Sequence, residues 1–248
     1  MPYADVNGLH LYYEERGEGP PLVLLHGGLT TIDLSFGRVI PVLAEHHRII
    51  AVELQGHGRT ADIDRPMAFE HLAADVVGLL DRLGIEQADV FGFSLGGLTT
   101  YELLVHHPGR VRRAVVASAD HRNDRDGEIH PDRLPTEADF AAMRDAYAAV
   151  APDPAHFEAF AAKTVAMVHD FDGWTDDQVR GIGVPVLVLI GDMDFILVPN
   201  AAAAVELLPQ GQLAVLPGTT HMGMTGSDLV APVVEAFLAG ASTSPATS

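Results

Sequence analysis

The 248-residue chain contains no cysteine, which removes disulfides, a thiolate nucleophile and every zinc–sulfur site from consideration. Cations are scarce: 15 Lys and Arg face 34 Asp and Glu, for a formal net charge of −19. An average surface of that sign repels polyanions, so neither nucleic acid nor a membrane is expected as a partner. No apolar run approaches the ~18 residues that cross a bilayer, and Met1-Pro2-Tyr3-Ala4-Asp5 lacks the basic and apolar regions of a signal peptide. A cytoplasmic location is therefore the expectation. The 13 histidines include no His-Glu-x-x-His, and the pairs His46-His47 and His106-His107 point apart on a helix or strand. Gln55-Gly56-His57-Gly58-Arg59-Thr60 lacks both a phosphate-loop lysine and a full dinucleotide fingerprint. No metal or cofactor is expected. What is present is ordinary for a globular chain, 48% hydrophobic and 20% charged, and long enough to bury a full core.

Taken in order, residues 3–16 read as two strands around Asn7-Gly8, and Leu22-Val23-Leu24-Leu25 as a buried central strand. That run ends at His26-Gly27-Gly28-Leu29, where glycines let the backbone approach a ligand and aim N–H groups at it. Phe36, Val39, Ile40 and Leu43 carry helical spacing despite Pro41, and Ile49-Ile50-Ala51-Val52 is the next buried strand. Phe69, Leu72, Val76, Leu79, Leu80 and Leu83 form one helical face that Gly84 ends.

The chain is organised around Phe91-Gly92-Phe93-Ser94-Leu95-Gly96-Gly97. Here a β-favouring run meets a helix-like pattern through a serine between glycines, which reads as a nucleophile elbow. Turning strand into helix at one residue forces an unfavourable backbone conformation, and glycine at 92 and 96 removes side chains that would collide. The hydroxyl of Ser94 is then placed at a helix N-terminus, beside free N–H groups.

After the strand Arg112–Ser118 the alternation of strands and helices breaks. Residues 120–180 contain no strand-like run, only a polar loop and two helical patterns, one announced by a Thr136/Asp139 capping box. They read as a lid inserted at the ligand end of the sheet. Residues 1–119 and 181–240 then form one mostly parallel α/β core with helices on both faces, and residues 241–248 a tail of small residues expected to be disordered. The sheet resumes at Pro185–Gly191, followed by Asp192-Met193-Asp194. A strand at Leu213–Leu216 leads to Gly218-Thr219-Thr220-His221.

Ser94, Asp194 and His221 each follow a strand, and loops at strand carboxyl ends share one edge of a parallel sheet. Leu25-His26-Gly27-Gly28, Gly92-Phe93-Ser94-Leu95-Gly96, Gly191-Asp192-Met193-Asp194 and Gly218-Thr219-Thr220-His221 together resemble the signatures of the α/β-hydrolase superfamily. Within it the chain is similar to the small bacterial esterase, lactonase and cofactor-free haloperoxidase-like branch. The resemblance implies an α/β-hydrolase fold with a short helical lid. It also implies a catalytic Ser94, His221 and Asp194, with Asp192 and Asp120 as alternative acids and His121 as a rival histidine. Gly28 and Leu95 are the implied oxyanion-hole donors, and His26 is read as holding its loop. Leu29, Phe93, Phe195 and Met222 are assigned to an apolar substrate pocket. Trp174 is assigned there too, with pinning the lid to the core as its other reading. The expected activity is hydrolysis of a small, largely apolar ester or lactone through an acyl-serine. Perhydrolase or haloperoxidase-like chemistry and a non-catalytic ligand receptor are the alternatives. Oligomeric state is not legible.

Overall fold

The computed structural model describes residues 2–122 and 129–240; the expected tail at 241–248 lies outside them. The chain opens with the expected hairpin, β1 (Tyr3–Val6) and β2 (Leu9–Arg16), whose turn residues Asn7 and Gly8 adopt φ of 49° and 81°. There follow β3 (Pro21–Leu25), α1 (Ile32–Phe36), α2 (Ile40–Leu43), β4 (Arg48–Val52), α3 (Phe69–Arg82), β5 (Ala88–Phe93), α4 (Leu95–His106) and β6 (Val111–Ala117). Helices α5 (Glu137–Val150), α6 (Phe157–Asp170) and α7 (Asp176–Arg180) separate β6 from β7 (Val186–Met193). The chain ends with α8 (Val198–Leu207), β8 (Gly211–Thr220) and α9 (Val230–Leu238).

All eight strands join one sheet in the order β1-β2-β4-β3-β5-β6-β7-β8. The first two pairings are antiparallel and the rest parallel. Because side chains alternate across a strand, each central strand feeds two cores. Leu22, Leu24, Phe91, Val115 and Leu187 pack with Phe36, Leu43 and Val234 of α1, α2 and α9. Val23, Leu25, Val90, Val116 and Val188 pack with Leu72, Val76 and Leu103 of α3 and α4. Burial on both faces is what continuous apolar runs encode, and each fully buried aliphatic side chain contributes roughly 1.5–3 kcal/mol relative to exposure. The exposed ion pair of Arg48 with Glu15, by contrast, contributes about 1 kcal/mol or less.

Three local readings change. The single helix expected across Phe36 to Leu43 is two short ones, because Pro41 stands in the first turn of α2, where its missing N–H and its ring can be accommodated only at a helix start. The segment between β6 and β7 holds a third helix, α7, opened by a capping box of Thr175 and Gln178. The last strand extends beyond Leu213–Leu216 to cover Gly211–Thr220, and leaves Leu213 and Val215 exposed on the sheet edge. Gly84, with φ of 66°, follows α3 as expected. Among the described residues no helix is long and apolar enough to cross a membrane.

Candidate active site

Strand β5 is buried throughout and ends at Phe93; Ser94 then takes φ 53° and ψ −115°, and α4 begins at Leu95. A left-handed conformation costs a non-glycine residue about 1–2 kcal/mol, so the neighbours must hold it in place. Ser94 N–H donates to Ala117 O at 2.8 Å, and Gly96 N–H to His26 O at 3.0 Å. A Cβ on Gly96 would overlap Leu25 O, and one on Gly92 would overlap Gly96 O and Thr100 Oγ1. Both glycines are therefore required by the close approach of α4 to β3 and β5.

Ser94 Oγ lies 3.0 Å from His221 Nε2, and His221 Nδ1 lies 2.9 Å from Asp194 Oδ1. A carboxylate accepts only, so Nδ1 carries the proton and Nε2 accepts from the serine hydroxyl. Asp194 is fully buried and its Oδ1 also accepts from Ile196 N–H at 3.1 Å. Of the three acids considered, the fold brings Asp194 to the imidazole. Asp192 instead accepts from Thr219 N–H at 3.2 Å, and Asp120 stands 3.2 Å from His121. His121 is enclosed between Asp120 and Asp176, and its ring packs near Tyr101.

The topology explains the reach of this line. Ser94 follows β5 and Asp194 follows β7, so β6 lies between them, and the loop after β8 carries His221 over its carboxyl end. Gly191 permits that crossing, since a Cβ there would overlap Thr219 O.

Gly28 and Leu95 face each other: a Cβ built on Gly28 would lie 3.7 Å from Leu95 Cβ. No hydrogen bond among the described residues uses either N–H, and Leu95 is the first residue of α4, where free donors and the helix dipole favour negative charge. The loop bearing Gly28 is held from below. His26, fully buried, donates from Nδ1 to Gly27 O at 2.8 Å and accepts Leu54 N–H on Nε2 at 3.0 Å. Burial pushes its pKa down to about 4, so it stays neutral as a loop fastener. His57, 4.6 Å away ring to ring, is pushed well down by burial and by His26.

These residues border one cavity of about 490 Å³. Leu29, Phe93, Phe195 and Met222 line it, as do Ser94, Leu95, Gly28 and His221. Phe195 and Phe93 flank the imidazole, with ring centroids 4.3 and 5.2 Å from it. Trp174 is not among the lining residues, which corrects its assignment to the pocket. Its indole is buried with Phe69, Phe171 and Tyr101 and donates from Nε1 to Glu102 Oε2 at 3.0 Å. Leu29 and Ser118 share with Ser94 a left-handed backbone, at φ 60° and 52°, and all three line the cavity; backbone strain concentrates where geometry serves a ligand.

Sequence reasoning missed several lining residues, among them Ser118, Arg122, Phe140, Thr164 and Val165. Phe140 and Thr164 belonged to recognised helical patterns, but periodicity does not tell a face on a cavity from a face on a core. Among the described residues no group of three His, Asp or Glu is arranged to hold a metal ion.

Comparison with known proteins agrees with this architecture. A family model described as alpha/beta hydrolase fold matches residues 20–168, and the chain belongs to that family. It is 30% identical to a non-heme chloroperoxidase of Burkholderia pyrrocinia, over 91% of this chain and 94% of that one. It is 28% identical to a non-heme haloperoxidase of Rhodococcus erythropolis, over 89% and 93% respectively. Among solved structures, the enol-lactonase from Burkholderia xenovorans LB400 superposes with a TM-score of 0.79 at 24% identity, covering 96% of this chain and all (100%) of that one. A thermophilic esterase from Thermogutta terrifontis gives 0.78 at 22% identity, covering 96% and 97%.

Proposed function

We propose that the protein is a serine hydrolase that cleaves small, largely apolar carboxylic esters or lactones through an acyl-serine intermediate. The observation that carries this reading is the hydrogen-bonded line from Ser94 through His221 to Asp194, opening into an apolar cavity. His221 takes the hydroxyl proton of Ser94 as the oxygen attacks the carbonyl, and returns it to the leaving alcohol. Asp194 holds the tautomer and stabilises the imidazolium. The N–H groups of Gly28 and Leu95 meet the developing oxyanion, a contribution of about 3–4 kcal/mol for a single well-placed donor. Water, oriented by His221, then releases the acid.

Residues 120–180 act as the lid of this site. Thr164, Val165 and Phe140 bring α5 and α6 to the cavity, while Lys163 fastens α6 to the core by donating to both oxygens of Asp62, each at 2.9 Å. The relatives named as haloperoxidases support a second use of the same residues: peroxide in place of water attacks the acyl-serine and leaves as a peracid.

A panel of 4-nitrophenyl esters and lactones of graded acyl length, read by proton release, tests the proposal against the Ser94→Ala variant. Turnover by the wild type and its loss in the variant support it; undiminished turnover in a folded variant rejects Ser94 as nucleophile. Halogenation assayed in acetate and peroxide separates the second reading from the first.

A further inference from the structure

Among the described residues the cavity lining carries little charge, with Arg122 the one Lys or Arg that lines it and Asp120 the one carboxylate. Asp120 already has partners. Its Oδ1 accepts Arg122 N–H at 3.2 Å and stands 3.2 Å from His121 Nδ1. Burial opposes its ionisation, but His121, the Arg122 N–H and the Arg122 charge outweigh that and hold its carboxyl below the usual carboxylate range.

The Arg122 side chain is placed differently. Its backbone is fixed by an antiparallel pairing with Gly173, where the inserted segment returns to the core. Its Nε is buried without an acceptor, and among the described residues no carboxylate comes within ion-pair distance of its guanidinium. A buried donor with no acceptor is costly, and an anionic oxygen supplied by a ligand removes that cost through a charge-assisted hydrogen bond. Phe140, Met143, Val165 and Val168 supply apolar lining to the same cavity.

We propose that Arg122 is a carboxylate-recognition point, so that the favoured substrate is an ester or lactone with an apolar body and a free carboxylate remote from the scissile bond. This rests on the hydrolase reading above and adds a substrate class to it. The surface as a whole repels anions at a net charge of −19, so an anionic substrate needs a local cation, and the fork of donors on this guanidinium matches a carboxylate. Asp120 opposes it: its charge weakens the attraction, and removing that charge strengthens it. His169 also lines the cavity, with Nδ1 2.8 Å from Asp170, and Asp176 faces His121 from the far side at 3.4 Å. Among the described residues these are further titratable groups around the subsite, and neither forms a described bond with Arg122.

The test compares monoethyl adipate with ethyl hexanoate, which differ by a carboxylate in place of a terminal methyl, read by proton release. The ratio of kcat/KM for the first over the second is expected to fall about tenfold in Arg122→Gln, the loss of one charge-assisted contact. In Asp120→Asn the same ratio is expected to rise. A ratio that moves by less than about threefold in Arg122→Gln, or fails to rise in Asp120→Asn, overturns the proposal. If Arg122→Gln does not fold, as judged by thermal unfolding, Asp120→Asn carries the test alone. If the wild type hydrolyses neither ester, the hydrolase reading falls, and the subsite is judged by calorimetric binding of 4-phenylbutyrate. Binding about tenfold weaker in Arg122→Gln upholds it, and equal affinity in the two proteins overturns it.

Discussion

The loops at the strand ends and the segment inserted between β6 and β7 meet across one cavity but are held by different physics. The loops are held against the core: Ser94 N–H donates to Ala117 O at the buried end of β6, Gly96 N–H to His26 O, and the buried His26 ring bonds Gly27 O and Leu54 N–H. The inserted segment rests on amphipathic helices with a few polar fastenings. These include Lys163 on Asp62, Trp174 on Glu102, His130 N–H donating to Phe195 O at 2.7 Å and Arg133 donating to Asp192 O at 3.0 Å. Phe140 and Val165 line the cavity while staying 41% and 60% exposed, so this wall stands partly in solvent. The proposed function puts catalysis on the rigid side and substrate selection on the loosely fastened one, so variants on the two sides are expected to fail in different ways.

The largest effect belongs to the rigid side. Ser94→Ala or His221→Ala is expected to lower kcat by about 10⁴-fold or more, and Asp194→Asn by about 10²–10⁴-fold, with KM little changed. Steady-state kinetics on a short ester checks this, and a KM effect larger than the kcat effect would break the division of labour.

Next comes pH. His26 and His57 are buried neutral, with folded pKa values below the usual 6.5. The unfolded chain therefore binds protons that the folded one refuses. Stability is complete above about pH 6.5 and falls as pH drops toward 4, by roughly 3 kcal/mol for His26 alone. Urea midpoints at pH 8, 6 and 5 measure it. A flat profile would mean that the loop beneath Gly28 is not as closed as its contacts indicate.

A smaller effect is expected on the inserted segment. Lys163→Met removes the fastening to Asp62, whose carboxyl is held below its usual range, burial being outweighed by Gln55 and Lys163. KM should rise several-fold with kcat nearly kept, and stability should fall by about 1 kcal/mol, since Lys163 is partly exposed. An equal loss in kcat would place α6 among the rigid elements. The smallest change concerns Ser118, whose left-handed backbone favours glycine. Ser118→Gly should raise stability by ~0.5 kcal/mol, the relief of strain less the added freedom of the unfolded chain. Thermal unfolding reads it, and destabilisation would show that the hydroxyl is needed where it lies.

The same division governs what could be read from the sequence. Ser94, Asp194 and His221 were legible because each follows an apolar run and stands in a glycine-marked turn, features that are local. Gly28 was legible for the same reason. The choice of Asp194 over Asp192 and Asp120 needed a spacing pattern known from relatives, and the geometry agrees with it. Trp174 kept two readings because an indole lining a cavity and one buried behind it carry the same sequence signal; its bond to Glu102 on α4 favours the one that pins the inserted segment to the core. The break in the helix before Pro41 was readable from proline chemistry but was outweighed by the apolar spacing of Phe36, Val39 and Leu43, all of which are buried. Arg122 was not legible at all. Its place in the cavity depends on the chain returning at Gly173, a contact across some 50 residues that periodicity does not encode.

The most direct measurement is intact-protein and peptide mass spectrometry after brief exposure to a fluorophosphonate and, separately, to a 4-nitrophenyl ester quenched in acid. One adduct per chain, mapped to the peptide containing Ser94 and absent from Ser94→Ala, is the expected result. Rapid ester turnover with no adduct on Ser94, or an adduct carried by another residue, would contradict a hydroxyl activated through His221.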